Sequence, residues 1–435
     1  MVNVAGMKSS AACSRLRRLA ASARSVISNR MLLVLVVLLL VSLLIPGSAI
    51  RRLFLNADHK RQQLLAENEE RIQRSQLFLQ NYRASLEASS PARPLGADPE
   101  ADVGLTVLTM ARGRRMSRHV TYRTQYLTQS LARLLQLLND TSLTRSYRLS
   151  VCDVDDRPDN YTEARNLEDL VPFFNRFGGG GGDDGKDDKQ QGEAGKPVWG
   201  ARGVTIWEKL KHDYVYCLQQ TMSLGVRYAL LVEDDAVAHV QLLPVLEHVL
   251  KTVLEAPGTR PVTYIKLFHP DRLLGYISIE AERLAELLSL AVVVGALLAF
   301  ACTCRSKSSL EAHGPDRAQI WTSWLGWGIV VCVAALVVGR TNLLELRRLS
   351  PQLYQVTPTP SCCTPAMLFT REGQRDVSRY LLSVTCSRSK STDFRLDEFR
   401  HVTGARALLV QPNLFTHIGL VSSLRSEEVN PLIVN

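Results

Sequence analysis

Three stretches of this chain carry no charged residue: Met31–Ile50, Leu287–Cys304 and Ala318–Gly339, of 20, 18 and 22 residues. Each is mostly aliphatic, and as a helix rising about 1.5 Å per residue each spans or nearly spans a hydrocarbon core of roughly 30 Å. That pattern excludes a simple soluble protein, although 46% hydrophobic and 22% charged residues would suit one. It also excludes an ordinary channel or transporter, because two blocks outside the three spans are large enough to bury cores of their own.

Charge orients the spans. The net charge of +10 divides into +6 for residues 1–30, −1 for 51–286, +1 for 305–317 and +4 for 340–435. Six basic residues and no acid before the first span predict a cytosolic tail (1–30) and a transmembrane anchor (31–50) that leads into a lumen. A cleaved signal peptide is the competing reading, since Gly47-Ser48-Ala49 offers small residues, but an apolar run of 20 exceeds the usual signal core. The second and third spans (287–304 and 318–339) are joined by a short cytosolic loop (305–317) and form a hairpin, so both large blocks face the lumen. Sequons at Asn139 and Asn160 lie in the first block and predict glycosylation there. Five of the nine cysteines, Cys152, Cys217, Cys362, Cys363 and Cys386, are expected in the lumen, an odd number that leaves the connectivity open. Trp321, Trp324 and Trp327, three apart in the third span, read as an interfacial anchor. The basic excess faces the cytosol with only 30 residues behind it, which disfavours a nucleic-acid partner.

Residues 51–103 are rich in Gln, Glu, Arg and Ala, with leucines at irregular helical spacing and prolines at 91, 94 and 99. They predict a polar helical stalk in the lumen, followed by a linker. From Gly104 short apolar strands alternate with helices, which predicts an α/β domain with a mostly parallel sheet and ligands at the carboxyl ends of its strands. Residues 178–196, five glycines followed by mixed Asp and Lys, predict a flexible insertion. The apolar strand 228–232 ends in Glu233-Asp234-Asp235. Adjacent carboxylates repel unless something positive lies between them, and a hard cation such as Mn²⁺ or Mg²⁺ would serve. A solvated strand end is the alternative.

The surroundings of this triplet carry a resemblance. Lys209, Asp213 and Tyr214 on a helix, followed by a strand ending Leu-Val-Glu-Asp-Asp, resemble the core of Golgi transferases with the glycosyltransferase-A fold, and more closely the N-glycan N-acetylglucosaminyltransferase IV family. Pro412-Asn413-Leu414-Phe415-Thr416-His417-Ile418-Gly419, Ser422-Ser423-Leu424, and Thr392-Asp393-Phe394-Arg395-Leu396-Asp397 are similar to further segments of that family. The resemblance covers about 104–280 and 360–426. A glycosyltransferase-A-like, Rossmann-like domain in two parts (104–286 and 340–435), interrupted by a transmembrane hairpin behind an anchor, most resembles the Golgi transferases that add N-acetylgalactosamine to glycosylphosphatidylinositol (GPI) anchors. An independent topological requirement is met. If Glu233–Asp235 and His417 build one site, an even number of spans must separate them, and there are two.

The resemblance implies a UDP-sugar donor, a GPI acceptor and a multi-pass Golgi membrane location. It implies Mn²⁺ or Mg²⁺ on Glu233, Asp234 and Asp235, with Asp235 the direct ligand, Asp234 nearer the donor and His417 completing the set. It places Thr109, Arg112 and Asp153 against the nucleoside, and Lys209 and Asp213 at the donor, with a Lys209–Asp213 pair within the helix as the alternative. Asp393, Asp397 or Glu398 would be the general base that takes the acceptor proton. Transfer to N-linked glycans and a catalytically silent scaffold are the rival readings.

Overall fold

The computed structural model describes residues 29–45, 48, 56–88, 101–112, 123–139, 143–177, 205–277, 281–307, 317–422 and 429–431. The basic tail before residue 29 and the insertion at 178–196 lie outside the described residues, as do Ser423 and Leu424. The chain divides into two compact units, one of residues 1–55 and 271–346, the other of 56–270 and 347–435.

The first unit is helical. Helices α6 (Ala281–Lys307) and α7 (Arg317–Val338), which come between α5 (Leu242–Val249) and α8 (Arg371–Ser383) in the chain, are long and apolar enough to cross a membrane. They cross where Gly295 meets Gly328, so closely that a β-carbon on Gly295 would lie 2.8 Å from the Gly328 backbone. Small residues at a crossing let two helix backbones approach. Helix α1 (Asn29–Ser42) contributes Met31 to a cluster with Ala299, Trp327 and Val330. Its described part has 14 residues, about 21 Å at 1.5 Å per residue. The chain turns at residues 43–45, ahead of Pro46, a residue type that disfavours helix in its predecessor. At one end of the hairpin the buried Arg340 donates to Glu286 and to the Leu274 carbonyl, which pairs a charge that burial would otherwise penalise. Trp324 donates to the Val292 carbonyl and stands edge-on to Trp321.

The second unit is α/β. Its eight-stranded mixed sheet runs in the order β3 (Phe173–Asn175), β2 (Tyr147–Asp153), β1 (Val103–Thr109), β4 (Tyr228–Glu233), β8 (Ala366–Thr370), β6 (Tyr264–Lys266), β9 (Ala407–Gln411), β7 (Gln355–Pro358). The first four are mutually parallel, and of the remainder only β8 and β7 run against them. Strands from both sides of the hairpin therefore share one sheet. β8 lies between β4 and β6, burying Leu368 with Leu230 and Ile265 in the apolar layer on one face and Met367 in the layer on the other, and such burial is the main source of stability for such a domain. Helix α4 (Ile206–Ser223) begins at an N-cap, Thr205, whose hydroxyl accepts from the Glu208 amide, and packs on β1 and β4. A disulfide, Cys152–Cys217, ties it to β2.

The segment expected as a stalk forms helix α2 (Ala57–Ala88), which lies along helix α3 (Tyr126–Leu138). Leu64, Asn68, Ile72, Ser75, Leu79 and Tyr82 recur at helical spacing and are buried. The stripe is hard to see in the sequence because two of its members are polar. Asn68 is satisfied by donating to the Arg123 carbonyl and accepting from Gln129, which also accepts from Arg71.

Candidate active site

Register places the ends of three parallel strands level: Thr109 is opposite Asp153, and Leu108 opposite Glu233. Beyond β4 the chain turns through Asp234 and Asp235 into β5 (Ala236–Ala238), which pairs antiparallel with β10 (Phe415–His417), putting His417 opposite Ala236. The turn is fixed from below by Ser130, whose hydroxyl donates to the Asp234 and Ala236 carbonyls, and by the Asp234 amide bonding Leu108. The Ile418 amide donates to the Asp235 carbonyl. Phe268 stacks on the His417 ring, and Asn413 clamps the buried His269 backbone through its amide and carbonyl.

Positive charge does lie between the acids, and it is Arg112. Its guanidinium donates to Asp234 Oδ1 and Asp235 Oδ2, each at 2.5 Å, and to the Val421 carbonyl, with its cationic carbon 5.3 Å from the Tyr126 ring centre. A planar fork bridging two carboxylates is a geometry that arginine supplies and lysine does not. The second oxygen of Asp234 accepts from Thr109, whose hydroxyl also bonds Tyr161. Glu233 accepts from Thr364. Asp235 Oδ2 is 3.3 Å from His417 Nε2, whereas the buried Asp235 Oδ1 has no hydrogen-bond partner among the described residues. Gly419 is required here, because a β-carbon would lie 2.3 Å from Asp235 Oδ2.

The environments push these acids apart. Burial, then the charge of Asp235, raises Glu233 to about 7. Burial also raises Asp234, more than Arg112 lowers it. For Asp235 burial is outweighed by Arg112 and His417, which hold its carboxyl well below the usual range. For His417 the burial penalty is outweighed by the charge of Asp235, its hydrogen bond and Glu233 together, so the imidazole is raised.

Among the described residues no three His, Cys, Asp or Glu side chains converge into an all-protein metal cage. A magnesium-like ion needs less, since it is commonly held by one or two protein ligands with phosphate and water in its other positions. The orphaned Asp235 Oδ1 and the adjacent His417 imidazole fit that demand. Asp234 fits it poorly, because both of its oxygens are engaged.

A cavity of about 460 Å³ opens beside the triplet. Its lining includes Arg112, Glu233 and Asp234 from the first block and Cys363, Thr364 and Asp393 from the second, with Trp207 and Tyr214 from α4. Of the three candidate bases, then, Asp393 reaches the cavity. It starts helix α9 (Thr392–Thr403) and accepts from the Cys363 amide at 3.4 Å and from the Ser391 hydroxyl. Asp397, one turn on, is held by Ser361 and Arg400, and Glu398 by Tyr380 and Arg395. Asp213 lines the cavity, but it is paired with Lys209 at 2.7 Å and with Arg176. Burial raises its pKa more than these cations lower it. Lys209 is also bound to Asp156 and the Val154 carbonyl, so the pair within the helix is the arrangement present. Asp153 is buried at its strand end and accepts from the Asp155 amide.

Trp207, Thr364, Tyr126 and Gly419 did not stand out as site residues in the sequence. Gly419 belongs to the motif around His417 and Trp207 stands two residues ahead of Lys209, which was the available signal. Tyr126 and Thr364 meet the site only through long-range pairing. Asn139 and Asn160, the sequon asparagines, are both exposed, while Asp140 and Thr141 lie outside the described residues. Cys362 and Cys363 are bonded to each other, and Cys386 is a buried free thiol.

Residues 103–416, which contain the triplet, the cavity and both halves of the sheet, match the protein family described as GPI-N-acetylgalactosamine transferase PGAP4. A match over most of the chain, with strands on both sides of the apolar hairpin inside it, places this chain in the GPI-N-acetylgalactosamine transferase family, and hence among the glycosyltransferases.

Proposed function

We propose that the chain transfers N-acetylgalactosamine from UDP-N-acetylgalactosamine to a core mannose of GPI anchors, with inversion at the anomeric carbon, on a glycosyltransferase-A-like domain in the Golgi lumen. The observation that carries this reading is a cavity whose wall joins Glu233 and Asp234 of one block to Asp393 of the other. An inverting transfer needs charge compensation for a leaving diphosphate on one side and a base for the acceptor hydroxyl on the other.

Asp393 takes the proton from the acceptor hydroxyl as its oxygen bonds to the anomeric carbon, and the UDP oxygen departs with the bonding electrons. The Cys363 amide and Ser391 hydroxyl hold Asp393 in place for this. Asp235 and His417 would hold Mn²⁺ or Mg²⁺, which when bound supplies charge stabilisation to the diphosphate. Arg112 favours the ionised forms of Asp234 and Asp235 and aligns them, while Thr109 holds Asp234 from behind and Trp207 on the cavity wall would meet the nucleoside. Glu233 is held by Thr364 on the same wall. The anchor and hairpin tether the domain covalently to the bilayer where a lipid-linked acceptor resides, which raises the effective concentration of acceptor.

Full-length protein in detergent, supplied with UDP-N-acetylgalactosamine, Mn²⁺ and a purified GPI-anchored protein, should add one hexosamine to the anchor glycan. Absence of that product, or equal transfer to N-glycans of the same acceptor, would sink the reading.

A further inference from the structure

Cys362 and Cys363, neighbours in sequence, are joined by a disulfide, and both lie in the left-handed region, with φ of 84° and 72°. Non-glycine residues rarely hold that conformation, and two in succession do so only where the surroundings over-determine it. Here they do. From the sheet, the buried Lys266 at the end of β6 donates to the Cys362 carbonyl at 2.5 Å and to the Pro360 carbonyl at 3.4 Å. From α9, Asp397 accepts from Ser361 at 2.8 Å, and Arg400 donates to the Thr359 carbonyl. On the far side of the turn Thr364 reaches Glu233, and Cys363 lines the cavity. The turn thus spans from the acidic triplet to the acidic helix, with the Cys363 amide directed at Asp393.

A simple staple for a surface loop would not need a buried lysine beneath it, nor would it end in an amide that bonds a cavity-lining carboxylate. We propose that the Cys362–Cys363 disulfide turn, anchored by Lys266, is a positioning element for the general base: it fixes the Cys363 amide against the Asp393 carboxylate. The inference rests on the reading of Asp393 as the base. The buried ammonium replaces the hydrogen bonds its carbonyl partners would otherwise lose to burial, and the bond between adjacent cysteines restricts the backbone to the conformation that aims the amide.

The test uses the full-length protein in detergent, with UDP-N-acetylgalactosamine and a purified GPI-anchored protein. Cys362→Ala/Cys363→Ala should lower kcat tenfold or more while the KM for UDP-N-acetylgalactosamine stays within about twofold. Cys362→Gly/Cys363→Gly, which adopts positive φ without a bond, should regain at least threefold of that loss. Lys266→Met should repeat the kcat-selective loss and carries the measurement if the alanine pair does not accumulate. Iodoacetamide applied to the unreduced, denatured wild type should leave the peptide containing Cys362 and Cys363 unlabelled. Labelling of that peptide, an unchanged kcat, or a loss carried mainly by KM overturns the proposal. Asp393→Asn separates the two ideas. If it retains wild-type kcat, the assignment of the base fails; if it is inactive while the cysteine and lysine variants are silent, the positioning role alone fails.

Discussion

Arg112 donates to one oxygen of Asp235, while the other oxygen of the same buried carboxylate has no partner among the described residues. One oxygen of that side chain is therefore committed to holding the site together, and the other is not. Replacing Arg112 by Ala leaves Asp234 and Asp235 buried without their cation. Breaking a buried pair in this way costs about 3–5 kcal/mol, so the variant should melt well below wild type in a detergent thermal-unfolding assay. An unchanged melting temperature would show that the fork is not what balances the two acids.

Metal dependence should follow the same division of labour. EDTA is expected to abolish transfer and added Mn²⁺ to restore it. Asp235→Asn should bind Mn²⁺ at least tenfold more weakly by calorimetry, whereas Asp397→Asn and Glu398→Gln, held away from the cavity by Arg400 and Arg395, should change binding less than twofold. Wild-type turnover in EDTA would refute the metal assignment.

Gly419→Ala tests the closeness of the two chain halves. Its β-carbon would overlap Asp235 Oδ2, so the carboxylate has to move. A loss of transfer of about a hundredfold is expected with the melting temperature lowered by only a few degrees, since a small displacement at a reacting centre costs far more in rate than in stability. Normal kcat would mean that the Asp235 position is not critical.

Stability should also respond to pH through Glu163, which is raised to about 7 by burial, an effect only partly opposed by the Thr128 amide and hydroxyl. Because the folded protein keeps that proton when the unfolded chain has lost it, stability falls as pH rises from about 4.5 to about 7 and levels off above. Glu163→Gln removes the titration and should flatten that segment of the melting-temperature profile, gaining stability over wild type at pH 8 relative to pH 5. Superimposable wild-type and variant profiles would contradict this.

The hairpin offers an asymmetric pair of substitutions. Gly295→Ala places a methyl within 2.8 Å of the Gly328 backbone and should force the helices apart, whereas Gly328→Ala meets only the Ala291 carbonyl at 3.5 Å. The first variant should accumulate poorly and become sensitive to protease in membranes, and the second should resemble wild type. Equal tolerance would argue against a close crossing.

What the sequence reveals and what it conceals divide along physical lines. An apolar run that ends in Glu233-Asp234-Asp235 announces a buried strand and a charged strand end, and both are present. The motif around His417 marks a second contribution to the same site, and β10 delivers it beside Asp235. Arg112 was legible as a residue but not as the cation between two acids, because the pairing joins positions 122 and 123 residues apart and leaves no local periodicity. Asp393 and Asp397 share a helical face in the sequence, yet the cavity reaches only the first turn, and Ser361 and Arg400 occupy the second acid. The docking of helix α2, though not the helix itself, was concealed for the opposite reason: Asn68 and Ser75 sit in its buried stripe and break the apolar pattern from which docking is usually inferred.

The position of β8 between β4 and β6 has a consequence in time. Thr364, just ahead of β8, is synthesised 131 residues after the Glu233 to which it bonds. At roughly 5–20 residues per second the emerging β4 waits on the order of ten seconds for its partner, with the apolar hairpin produced in between. During that interval the strand has an open edge next to a half-built site, so the helices must be disposed of before the sheet can close. Errors in hairpin insertion should then surface as misfolding of the catalytic unit, even when every residue of that unit is intact.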